Sequence, residues 1–231
     1  MGVKGFQGTS LLDYPGRVAS LLFWGGCNLT CPFCHNPALV LEPGAYPDLD
    51  SDQLLGELAS RRPFIDGVVL SGGEPSLGDD LLEFVKRLKE LGLGVKLDTN
   101  GLMPEVIDAL LERKLVDYLA IDLKTSLVRY PELHQGGVDT AALLKSVELA
   151  LRSSVQVEYR TTCVPGWIDE AVVTEWGERI RGAALWVFQQ YHAEHALAEN
   201  ARSLPCYSAD RVRGLAELAR GYVEEVRMRG L

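Results

Sequence analysis

Short apolar runs alternate with amphipathic stretches along this chain, and no other feature narrows the fold as much. Runs at residues 18–24, 67–70, 95–97, 118–121, 155–162 and 185–189 read as strands covered on both faces. Each is followed by a helical pattern, at residues 51–61, 79–91, 104–113, 140–152, 169–180 and 209–227. Ser51-Asp52 supplies a cap for the first helix. Strand–helix alternation calls for a parallel sheet with right-handed crossovers. Eight such units close a full barrel, and the six here leave it open. The expected fold is α/β, a partial (β/α)6 TIM-like barrel in a single domain. An open doubly wound sheet is the rival arrangement. Residues 1–16 read as an N-terminal lead-in that ends in the turn Asp13-Tyr14-Pro15-Gly16. Within it, residues 3–12 form a short strand or a lead-in folding back on the next segment. Residues 17–231 make the core domain, with a C-terminal helix.

In β/α barrels the chemistry sits on the loops that follow the strands. The special residues of this chain fall there repeatedly. Cys27, Cys31 and Cys34 follow the first strand, and Ser71-Gly72-Gly73-Glu74 the second. Asp98-Thr99-Asn100-Gly101 follows the third, Asp122-Leu123-Lys124 the fourth and His192 the sixth, while Arg160 lies inside the fifth. Six separate stretches thus point into one mouth. Paired glycines let the backbone approach a ligand closely, and Glu74 can accept a charge-assisted hydrogen bond from an ammonium group. Taken alone, the same stretch also reads as an ordinary strand-to-helix turn, and an Asp ending a strand is often only a helix cap.

The three cysteines stand at C-x₃-C-x₂-C spacing in a loop punctuated by glycine and proline, Gly25-Gly26-Cys27-Asn28-Leu29-Thr30-Cys31-Pro32-Phe33-Cys34-His35-Asn36-Pro37. Thiolates held this close repel one another unless a metal neutralises them. A structural zinc site would need a fourth ligand, from His35 or a remote cysteine. A cluster ligated wholly by cysteine would also need a fourth. Three cysteines suit a [4Fe–4S] cube only if something else holds the last iron.

With an aromatic residue just before the third cysteine, this run resembles the radical S-adenosylmethionine (SAM) enzymes. The longer phrase GGCNLTCPFCHNP resembles one branch of them, the activating enzymes of glycyl-radical enzymes. With the preceding SLLDYPGRVASLLFW it is most similar to activators of the anaerobic ribonucleoside-triphosphate reductase. The resemblance implies a [4Fe–4S] cluster on Cys27, Cys31 and Cys34, with SAM chelating the open iron. It implies reductive cleavage of SAM to a 5′-deoxyadenosyl radical, fed by an external donor such as flavodoxin or ferredoxin. The radical would take a hydrogen atom from a glycine of a partner enzyme, of the anaerobic reductase or the pyruvate formate-lyase type.

The resemblance also implies roles for single residues. Gly72, Gly73 and Glu74 would receive the amino group of the methionyl moiety. Lys124 would pair with its carboxylate, and Arg160, whose fork suits a carboxylate, would stand near the cofactor. His192 would lie near the adenosyl ribose. Phe33 would cover the cluster and offer backbone contact to the adenine, and His35 would tune the cluster by a hydrogen bond. In the pyruvate formate-lyase branch, residues matching Asp98, Thr99 and Asp122 help to hold a monovalent cation, which makes such a cation a candidate here. A small-molecule substrate, as in the deazapurine-forming branch, is the second functional class. A non-catalytic iron–sulfur or zinc protein is the third.

Composition adds exclusions. A chain of 231 residues, 47% hydrophobic, can bury one good core. No apolar run reaches the roughly 18 residues of a membrane span, and no basic-then-apolar leader opens the chain. A net charge of −9 argues against a general grip on nucleic acid. Five cysteines without a paired pattern fit a reducing compartment, so a cytoplasmic location is expected.

Overall fold

The computed structural model describes residues 2–231. Eight strands form one sheet in chain order. They are β1 (Val3–Ser10), β2 (Ala19–Trp24), β3 (Gly67–Gly72), β4 (Gly94–Thr99), β5 (Tyr118–Asp122), β6 (Gln156–Cys163), β7 (Leu185–Gln190) and β8 (Glu225–Arg229). β1 pairs antiparallel with β2, and every later neighbour pairs parallel. Among the described residues nothing pairs β8 back to β1, so the barrel stays open between its two edges.

The helices are α1 (Pro37–Leu41), α2 (Ser51–Arg61), α3 (Leu81–Glu90), α4 (Pro104–Glu112), α5 (Thr140–Arg152), α6 (Glu170–Arg179), α7 (Glu199–Arg202) and α8 (Ala209–Ala219). Each of β2 to β7 leads into a helix, which gives the six β/α units expected from the sequence. Strand side chains are buried on both faces: Leu70, Val95, Leu97, Leu119, Ile121, Trp186 and Phe188 belong to one core, and the alternate positions Val69, Lys96, Ala120 and Val187 are buried as well. That two-sided burial is why these segments read as continuous apolar runs rather than alternating ones. The N-terminal lead-in supplies β1, which folds back along β2.

The C-terminal helix expected over residues 209–227 is corrected. α8 stops at Ala219 and the chain turns through Gly221 into β8. The Glu224 and Glu225 N–H groups donate to Ala183 O and Ala184 O, at 2.9 and 3.0 Å, and zip the new strand onto the approach to β7. Glu, Arg and Met favour a helix locally, but sheet pairing outweighs that preference. The cap of α2 also moves one residue earlier: Asp50 accepts from Gln53 N–H at 2.8 Å.

Candidate active site

β2 and β3 are parallel neighbours with Trp24 opposite Gly72, so the loops that follow them leave the sheet side by side. Gly73 N–H donates to Trp24 O and Glu74 N–H to Gly26 O, both at 2.8 Å. Asn36, beyond the last cysteine of the run, donates to Gly72 O at 2.9 Å. Both glycines are demanded by this closeness. A Cβ on Gly73 would stand 1.9 Å from Gly26 O, and Gly72 has φ of +110° with no room beside Trp24. The cysteine loop and the Gly-Gly-Glu turn therefore form one unit.

Glu74 is buried, at 1% exposure. Its Oε1 accepts from Ser76 N–H (3.1 Å), Ser76 Oγ (2.5 Å) and Thr99 Oγ1 (2.8 Å), and its Oε2 from Asn100 N–H (2.7 Å). Burial pushes the carboxyl above its ordinary value, although these donors pull it back. Asn100 in turn donates to Asn28 Oδ1 (2.7 Å) and reaches Cys27 Sγ at 3.7 Å. The loops after β2, β3 and β4 are thus joined through Glu74 and Asn100.

Deeper in the mouth runs an alternating chain of charges. Side chains two apart on a strand share a face, so Lys96 and Asp98 of β4 meet, and their ammonium and carboxylate are bonded. Arg160 of β6 donates Nη1 to Asp98 Oδ2 at 3.1 Å and Nε to Asp122 Oδ1 at 2.6 Å. Lys124 Nζ closes the chain on Asp122 Oδ2 at 3.0 Å. Burial alone would raise both aspartates, but the neighbouring charges outweigh it and hold both below the ordinary value. Lys124 is raised for the matching reason: the Asp122 charge outweighs burial. Beside the chain, Arg229 of β8 grips Glu158 with both Nη atoms, at 3.0 and 2.7 Å.

Every candidate read from the sequence lines one cavity of about 390 Å³, a size ordinary for small-molecule sites. Cys27, Cys31, Cys34, Phe33, His35, Gly72, Gly73, Glu74, Asp98, Asp122, Lys124, Arg160 and His192 all face it. Phe33 packs edge-on against Trp167, and His35 stacks on Tyr191. His35 Nε2 is buried without a hydrogen-bond partner among the described residues. His192 sits on the exposed rim. Sequence reasoning passed over Lys96, Arg229 and the Asn100 contact to Cys27. A lysine two residues before Asp98 in an apolar strand was a usable signal for Lys96. None exists for Arg229, which the sequence pattern places beyond a helix.

The donor set fits an iron–sulfur cube. Burial is the main force pushing the Cys27 thiol up to about 12 and Cys31 to about 11. Such thiols become thiolates when metal supplies positive charge. Among the described residues no three His, Cys, Asp or Glu side chains converge on one point as a single ion requires. A cube gives each thiolate its own iron and asks for no such convergence. Cys163 is buried and Cys206 exposed, both outside the cavity lining.

Residues 21–174, more than half of the chain, match the radical SAM superfamily. The chain belongs to that superfamily, and its cofactors are a [4Fe–4S] cluster and SAM. Within it, the chain groups with the activating enzymes of glycyl-radical enzymes. A Methanocaldococcus jannaschii protein, provisionally named a glycyl-radical enzyme activating enzyme, is 34% identical over 98% of this chain and 95% of its own length. The pyruvate formate-lyase 1-activating enzyme of Escherichia coli K12 is 30% identical over 73% of this chain and 70% of its own. Among solved structures, Streptococcus suis SuiB bound to S-adenosylmethionine shares the fold, with a TM-score of 0.67 at 15% identity over 91% of this chain and 52% of that one. No helix among the described residues is long and apolar enough to cross a membrane.

Proposed function

We propose that this chain is an iron–sulfur activase that installs a radical on a backbone glycine of a partner enzyme. The observation that carries the reading is three cysteine thiols, without a fourth, facing a cavity shared with Gly72-Gly73-Glu74 and the Asp98–Lys124 charge chain. When bound, the cluster and SAM supply the chemistry: one electron splits a C–S bond to give methionine and a 5′-deoxyadenosyl radical, which removes the glycine hydrogen atom.

The chain's own residues bind, orient and shield. Cys27, Cys31 and Cys34 hold three corners of the cube. The Gly72-Gly73 backbone approaches the methionyl amino group. Glu74 keeps that loop in shape, with one lone pair of Oε2 beyond the Asn100 bond left for an ammonium. Lys124 and Arg160 offer positive charge to the carboxylate, Phe33 covers the cluster, and His192 stands at the rim where the ribose would lie. His35 offers its unpaired Nε2 for tuning the cluster.

The partner's glycine loop enters where the barrel is open. The cavity lining takes in Leu12 and Asp13 just after β1 and Arg229 and Gly230 at the end of β8, so it reaches both edges of the sheet. The run from Ser10 to Trp24 favours the anaerobic ribonucleoside-triphosphate reductase as partner, with a flavodoxin or ferredoxin as donor.

The test is anaerobic reconstitution with iron and sulfide, reduction by dithionite, and measurement of 5′-deoxyadenosine. A candidate reductase or pyruvate formate-lyase is then added and the glycyl-radical EPR doublet recorded. Nucleoside formation and a doublet are expected. Nucleoside without a doublet from either partner turns the reading toward a small-molecule substrate. A cluster that leaves SAM intact removes the enzyme reading.

A further inference from the structure

The family resemblance brings with it a monovalent cation held by residues matching Asp98, Thr99 and Asp122. The residues present do not fit such an ion, because a cationic side chain already stands on every carboxylate oxygen among them. Asp98 Oδ1 is taken by Lys96 and Oδ2 by Arg160. Asp122 Oδ1 is taken by Arg160 and Oδ2 by Lys124. Thr99 Oγ1 donates to Glu74 and accepts from Gly101 N–H at 3.1 Å. A sodium or potassium ion needs several free oxygens, and this set offers no bare carboxylate.

One residue explains the difference. Lys96 is 1% exposed, a burial lysine tolerates only when paired. Its ammonium lines the cavity, bonds Asp98 and lies 5.6 Å from the Tyr118 ring centroid. Glu158 also feels the Lys96 charge, but the Arg229 fork holds and neutralises that carboxylate. Lys96, Arg160 and Lys124 together face two carboxylates, an excess of one positive charge. A free cation added here would meet repulsion from the ammonium or guanidinium already on each carboxylate oxygen. The carboxylate of a bound amino-acid moiety would meet the charge it needs.

We infer that Lys96 is the site's permanent cation: a tethered ammonium standing where an exchangeable monovalent ion would otherwise sit, so that SAM binding requires no added sodium or potassium. This rests on the activase reading only in naming SAM as the ligand. Lys96 acts through Asp98 and Arg160 and is a positioning residue, because its ammonium is committed to Asp98.

The experiment measures SAM affinity by anaerobic equilibrium dialysis of the cluster-loaded protein, at fixed ionic strength in choline, sodium or potassium chloride. The wild-type protein is expected to bind equally in all three. Lys96→Ala, which leaves space, should lose about tenfold or more in choline, as when one charge of a buried pair is removed. It should recover in potassium or methylammonium. Lys96→Met, which fills the space without charge, should lose as much and not recover. Thallium-205 NMR, with thallous ion in place of potassium, should detect binding to Lys96→Ala and none to the wild type. Wild-type affinity that strengthens in sodium or potassium overturns the proposal, as does a Lys96→Ala that keeps full affinity in choline. Should circular dichroism show Lys96→Ala unfolded, the wild-type salt series and its thallium spectrum decide alone. A wild type that binds no SAM in any salt sinks the activase reading, and the thallium spectra still settle the cation.

Discussion

Replacing Glu74 by glutamine exchanges one carboxylate oxygen for an amide nitrogen, and neither position can accept the change. Oε1 faces three donors and Oε2 a fourth. Whichever way the amide turns, donor meets donor in a buried site. The cost should be about 1–3 kcal/mol for the groups left unsatisfied, read as a fall of several degrees in anaerobic thermal melting. Asn100 links Glu74 to Cys27, so iron retained per chain should fall as well. An unchanged melting temperature would show that the four donors are not holding a carboxylate. Cys163 makes the opposite case. Its thiol is fully buried, pushed up to about 12 by that burial, and lies outside the cavity. Cys163→Ala should keep iron and acid-labile sulfide at wild-type levels, whereas alanine at Cys27, Cys31 or Cys34 should lower both; loss of cluster in Cys163→Ala would place a fourth cysteine in its assembly. At this scale the sequence spoke clearly where residue type and spacing carry the chemistry, as in the cysteine run and the paired glycines. It was silent on who meets Glu74, because Thr99 and Asn100 approach from a different loop and only the sheet brings them together.

The elements that sequence reasoning placed best are the inner strands, whose burial on two faces leaves unbroken apolar letters. β8 escaped because it lies on the sheet's edge, carries Glu225, Arg227 and Arg229, and continues a stretch whose composition favours a helix. Its inward contribution is Arg229. That guanidinium is what balances Glu158, which is fully buried and also accepts from Tyr118 O–H at 2.7 Å. Arg229→Met should strand the anion and cost about 3 kcal/mol, the lower end for breaking a buried pair. Adding Glu158→Gln removes the stranded charge but keeps an acceptor for Tyr118. The double variant should therefore melt above Arg229→Met alone. If Arg229→Met melts with the wild type, backbone pairing to β7 holds the edge by itself and the ion pair contributes nothing.

Across the whole molecule, the same open seam that makes the barrel incomplete is, on the proposed function, the way in for a second polypeptide. The turn after β1 lies beside Ala19, at the end of the sheet away from the cysteine loop. Here Leu11 and Leu12 stand 72% and 84% exposed, and Leu12 also lines the cavity. Leucines that exposed contribute little to stability, so changing one should leave the fold intact. Leu11 stands outside the cavity lining, away from the cysteines and the charge chain. Leu11→Asp should therefore cleave SAM at the wild-type rate when no partner is present. A partner loop that follows the cavity along the seam as far as Leu12 would cover this turn, however, and a carboxylate there resists losing its water. The expected outcome is a raised KM for the partner protein, with little change in the maximal rate of glycyl-radical formation measured by EPR. A small-molecule enzyme would show no such split, since its substrate has no need to cross that turn. Equal KM in Leu11→Asp and wild type would move the entry path away from the β1 edge. A parallel loss of uncoupled SAM cleavage would instead mean that the turn shapes the cofactor cavity itself.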